Sequence, residues 1–109
     1  MQDRYAGDLG DFLKLGLLDW LAASNRSDPP LSLGVVWYLT DDEAHNDDGK
    51  HIAYLDPSHR LARHLRPLAP DLYDRLAEMV GNGDRSVAAL ERNGVLPPGT
   101  RTYAERLSY

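Results

Sequence analysis

The run Val35-Val36-Trp37-Tyr38-Leu39 constrains this chain more than any other feature. It is continuous, β-branched and aromatic, the pattern of a central strand covered on both faces, as in parallel sheets. The ten residues after it, Asp41 to Lys50, hold five acids, one His, one Asn and one Gly. Open α/β sheets place their ligands at the carboxyl ends of buried strands, which is where this polar loop falls.

Helical patterns flank the strand. Asp8 or Asp11 can cap a helix running to about Ala23, with Leu9, Phe12, Leu13, Gly16, Leu17, Trp20 and Leu21 at helical spacing. Leu15 and Leu18 widen that stripe, so burial on more than one side is expected. Ser24 to Pro30 reads as a loop closed by Pro29-Pro30. Ile52 to Leu55 is short and apolar, and Asp56-Pro57-Ser58 offers a helix start to the basic segment His59 to Arg66. Pro70 opens a helix through Val80 that Gly81-Asn82-Gly83 closes. Asp84 or Ser86 caps another to about Asn93, and Thr100 to Ala104 forms a second strand.

The expected fold is α/β: a partial Rossmann-like, methyltransferase-like three-layer arrangement of few parallel strands with flanking helices. Residues 1–109 read as a single α/β domain. Two strands leave edges that need covering, so the expectation is the N-terminal half of a larger domain, or assembly with a second copy.

Composition narrows the partners. The chain has no cysteine, which excludes disulfides and thiolate metal sites. No apolar run approaches the roughly 20 residues that cross a bilayer, and no signal-peptide pattern opens the chain. A cytoplasmic protein with no membrane partner is expected. Net charge is −5, so any nucleic-acid contact must come from a local basic patch. Arg60, Arg63 and Arg66 supply the candidate patch; on a helix Arg60, Arg63 and His64 share one face. The plain alternative is a solvated face balancing nearby acids.

Tyr5-Ala6-Gly7-Asp8-Leu9-Gly10-Asp11-Phe12-Leu13-Lys14, leading into a leucine-rich helix, resembles the opening of bacterial adenine-N6 methyltransferases acting on 23S ribosomal RNA. The whole chain also resembles the N-terminal half of a group of uncharacterised bacterial and phage proteins of roughly 200 residues. That group shares the Arg-Tyr-x-Gly-Asp-x-Gly-Asp-Phe string, the Val-Trp-Tyr-Leu strand and the acidic loop, here Glu43 to His51. The methyltransferase resemblance implies an S-adenosylmethionine pocket shaped by Tyr5, Gly7, Asp8, Asp11 and Lys14, with Asp41 at the strand end. It implies further that Glu105 receives the ribose hydroxyls. The Asp-Pro-Pro-Tyr type of motif that holds the target amine in such enzymes is absent, and Asp41-Asp42-Glu43 stands where a glycine loop is expected. Methyl transfer by these 109 residues alone is therefore not expected.

Two other readings stand beside it. Asp41, Asp42, Glu43, His45, Asp47, Asp48 and His51 offer oxygen and imidazole ligands to Mg²⁺, Mn²⁺ or Zn²⁺, as in a metal-dependent phosphodiesterase or nuclease built on loop 41–51. The spacing meets no known metal motif, and a solvated loop with turn-capping acids is the plain alternative and the better supported one. A non-enzymatic α/β interaction module is the third reading. For the opening string, the plain alternative is that Asp8 and Asp11 cap the helix while Lys14 pairs with Asp11. Trp37 and Tyr38 are expected in the core. Nucleophilic catalysis finds no support, since Cys, a Gly-x-Ser-x-Gly elbow and a Walker loop are all missing.

Overall fold

A computed structural model describes residues 1–23, 32–40 and 51–106. Among them the chain forms helix α1 (Leu9–Ala22), strand β1 (Gly34–Leu39), the single-turn helix α2 (Ala62–Leu65), helices α3 (Pro70–Gly81) and α4 (Val87–Arg92), and strand β2 (Arg101–Arg106). Short 3₁₀ turns occupy Asp3–Tyr5, Ala53–Leu55 and Arg66–Leu68. The loop expected over Ser24 to Pro30 lies outside the described residues.

The core is helical. Along α3, Leu72, Tyr73, Leu76 and Met79 fall on one face and are buried, and Pro70 starts the helix where its missing N–H costs nothing. Ser86, of the two cap candidates, caps α4: its Oγ accepts from the Ala89 N–H at 2.9 Å. Val87, Ala89 and Leu90 go inside. Phe12 from α1 meets Tyr54 and Tyr73 in a triangle of rings, with centroids 5.7 and 6.1 Å from Phe12 and 6.1 Å between the tyrosines. Such tilted pairs add roughly 0.5–1.5 kcal/mol each beyond their buried area.

α1 turns a different face inward than the spacing predicts. Phe12 and Leu15 are buried, with Leu9 and Leu18 packed beside them. Leu13, Leu17 and Trp20, expected in the core stripe, are 51%, 56% and 52% exposed. A helix apolar on several sides does not specify which side a neighbour covers. The placement of α3 decides it here, its Leu72 lying against the open side of Gly16.

β1 and β2 pair in parallel, Gly34 opposite Arg101 through Leu39 opposite Arg106. The mixed helix-and-strand expectation holds, with a two-stranded parallel sheet. Cover on both faces does not. Side chains alternate across a strand, and only the face of Val35, Trp37 and Leu39 turns inward. Trp37 packs against the core, and its indole N–H donates to Glu91 at 3.0 Å. On the other face Val36, Tyr38 and Tyr103 are 51%, 57% and 60% exposed, so Tyr38 is not the core residue expected.

The helix expected over the basic segment contracts to α2. Asp56 closes a tight turn instead, accepting from the Ser58 N–H and hydroxyl at 2.9 and 2.8 Å. His59 Nδ1 then takes the Leu61 N–H at 3.1 Å, and past Leu65 the chain tightens into the 3₁₀ turn Arg66–Leu68, which contains Pro67. No helix among the described residues is long and apolar enough to cross a membrane.

Candidate functional site

The site is assembled from the N-terminal segment upward. Gly7 has φ +86°, a conformation that strains other residues, and it sits hard against α3. A Cβ there would stand 2.6 Å from Val80 Cγ2. Asp8 caps α1, its Oδ1 accepting the Asp11 N–H at 2.9 Å. Asp11 reaches back, its Oδ2 accepting the Gly7 N–H at 3.0 Å. This is a reciprocal cap of the capping-box kind, displaced one residue backward.

Long-range partners hold the segment down. The Tyr54 hydroxyl donates to the Gly7 carbonyl at 2.8 Å and lies 3.2 Å from that of Asp8. Tyr54 is positioned in turn, its carbonyl accepting the Tyr73 hydroxyl at 2.6 Å. Arg85 Nε donates to the Ala6 carbonyl at 2.8 Å, and the Val87 N–H donates to Asp3 at 2.9 Å. Burial pushes the Asp11 carboxyl up to about 6, against the opposing pull of the Gly7 N–H. Burial also raises the Tyr54 phenol, and it lowers Arg85 despite the nearby carboxylates.

The same segment reaches the sheet. The Thr40 N–H donates to the Met1 carbonyl at 3.0 Å, and the Met1 amino group donates to the Tyr38 carbonyl. Because β1 and β2 run parallel, their carboxyl ends coincide. Glu105 stands opposite Tyr38 and Arg106 opposite Leu39. Glu105 is exposed. The expected strand stopped at Ala104; β2 runs two residues further and carries Glu105 within it.

The residues implied by the resemblance therefore divide. Gly7, Asp8 and Asp11 come together, and their polar groups are engaged in capping. Tyr5 is half-buried at the end of the first 3₁₀ turn, while Lys14 is exposed. The Lys14–Asp11 ion pair is not formed among the described residues, although the lysine charge still lowers the Asp11 carboxyl. Glu105 joins the strand ends. Asp41, Asp42, Glu43, His45, Asp47 and Asp48 lie outside the described residues. His51 is described: it is exposed, and its carbonyl accepts the Leu9 N–H at 3.0 Å, tying the loop's exit to the first turn of α1. No group of three or more metal-ligating side chains gathers among the described residues.

The basic cluster also divides. Arg60 lines a small hollow with His51 and His59, whereas Arg63 and Arg66 line a separate cavity. Arg66 is bound in a bidentate pair with Asp74, at 2.9 and 2.8 Å. The three arginines do not present one phosphate-binding face. Sequence reasoning missed Tyr54, Tyr73 and Arg85. The two tyrosines fall on apolar patterns, and Arg85 carries no local signal of a partner seventy-nine positions away.

Compared with known protein families, curated proteins and solved structures, the chain returns no match.

Proposed function

We propose that this chain is the cofactor-binding portion of a methyltransferase-like protein, taking S-adenosylmethionine at the joint carboxyl end of β1 and β2. The supporting observation is the parallel pairing that sets Glu105 at that end, beside the N-terminal strap bound to Tyr38 and Thr40. In open α/β sheets this is where a nucleotide-like ligand rests, with an acidic residue accepting from its ribose hydroxyls. An exposed carboxylate at the second strand's end fits that role. The cofactor would supply an electrophilic methyl group. Glu105 would hold the ribose, while Gly7, Asp8 and Asp11, already committed to capping, would fix the wall of the site rather than touch the ligand. A nucleic-acid substrate belongs to the same proposal, with Arg60 and Arg63 as separate candidate contacts, since Arg66 is held by Asp74.

Calorimetric titration with adenosylmethionine tests this. Binding is expected, and Glu105→Gln should weaken it about tenfold, the usual cost of a lost charge-assisted hydrogen bond. Absence of heat with adenosylmethionine would sink the reading, and heat with Mn²⁺ alone would move the weight to loop 41–51. One observation favours a second reading, the interaction module. The bare face of Val36, Tyr38 and Tyr103 leaves apolar surface for a second copy. Light scattering decides it, since a monomer at every concentration rules that module out.

A further inference from the structure

A cavity of about 390 Å³ lies between α3 and the segment from Leu55 to Pro67. None of its lining residues belongs to the sheet or to the N-terminal segment. Its floor is apolar and closed, formed by Leu55, Ala62 and Tyr73, all buried. Its rim is charged and exposed, formed by Arg63, Arg66 and Asp74. An apolar hollow with a few convergent polar groups is the usual form of a small-molecule site, and this volume sits at the small end of the range.

The charges at the rim are not equivalent. Arg66 and Asp74 neutralise each other through two parallel hydrogen bonds, which raise the guanidinium and lower the carboxyl. Arg63 has no carboxylate partner among the described residues; its Nε donates only to His64 Nε2, at 3.3 Å. Among the side chains that line the cavity, two guanidiniums therefore face one carboxylate, an excess of one positive charge, with Asp56 and Asp71 farther out. Pro57 and Pro67, on opposite sides of α2 in the chain, give the wall little backbone freedom.

We propose that this cavity binds a small amphipathic monoanion, its apolar body on the Leu55–Ala62–Tyr73 floor and its carboxylate on Arg63. One uncompensated guanidinium matches one negative charge, so a carboxylate fits better than a phosphate dianion. The floor offers no buried polar group to recognise a sugar or a base edge. The Tyr73 hydroxyl is already spent on the Tyr54 carbonyl.

Naphthylacetate, its neutral amide and naphthyl phosphate are the probes, titrated into the full chain while backbone amide shifts are followed by NMR. Naphthylacetate should shift the signals of Ala62, Arg63 and Ala77 in a saturable way. The amide should bind about tenfold more weakly, and Arg63→Gln should cost the acid a similar factor. Arg101→Gln, which alters an exposed charge on β2, should leave binding unchanged. Circular dichroism identical to the parent's confirms that Arg63→Gln still folds. Equal affinity for acid and amide overturns the proposal, as does tighter binding of the phosphate or indifference to Arg63→Gln. So does the lack of any shift up to about 1 mM, a concentration at which even a contact of roughly 4 kcal/mol registers.

Discussion

The start of α1 and the sheet face contrast sharply, though both come from sequence that reads as ordered. Around Gly7 the polar groups are engaged by partners that are themselves held: Asp8 and Asp11 by each other's turn, Gly7 by Tyr54, Ala6 by Arg85. On the outer face of β1 and β2, Val36, Tyr38 and Tyr103 stand half-exposed. Among the described residues, the N-terminal strap is over-determined by its contacts, while one face of the sheet keeps Val36, Tyr38 and Tyr103 exposed.

Gly7→Ala should be the most damaging, combining a positive φ with a Cβ 2.6 Å from Val80. A loss of about 3 kcal/mol in urea unfolding is expected. Tyr54→Phe should cost about 2 kcal/mol in the same assay, since it leaves the buried Gly7 carbonyl without its donor.

The Asp11 carboxyl titrates near 6 in the fold and near 4 in the unfolded chain. Between those values the folded state binds more protons, so the stability contributed by this group is fully present below about pH 4 and is lost as pH rises through about 6. Asp11→Asn, which keeps an acceptor for the Gly7 N–H, should flatten that slope in unfolding measured from pH 4 to 7. A slope that survives the substitution would assign the titration elsewhere. The smallest effect belongs to the sheet. Tyr103→Thr should change stability by no more than about 0.5 kcal/mol, because little contact is lost. A larger loss would mean that the outer face is covered in solution.

Much of the fold was legible in the sequence, because its signals are local. The caps at Asp8 and Ser86, the proline that opens α3 and the glycines after it are short-range chemistry, and all appear where the pattern puts them. The inward face of α1 was not legible. Leu13 and Leu15 are equally apolar, and only the packing of α3 separates them. The outer face of β1 misled for a related reason: a continuous apolar run reports what a strand is suited to, not what lies against it. At the candidate site, Gly7 and Asp11 were visible as residues that matter, yet their role as a reciprocal cap depends on Tyr54 and Arg85, whose contacts cross most of the chain. The acids of the loop after β1 remain readable from sequence alone.

The parallel pairing of Gly34 with Arg101 has a consequence for how the chain is made. Every residue from α2 through α4 is synthesised between the two strands, so β1 emerges long before its partner exists. Closing so long a loop is entropically costly until the intervening helices have condensed. The sheet is thus expected to assemble last, and contacts of this sequence range slow folding. Until then Val35 to Leu39 is an unpaired apolar segment, and an unpaired strand is an aggregation hazard. Newly made chain stalled before residue 101 should be the species that aggregates.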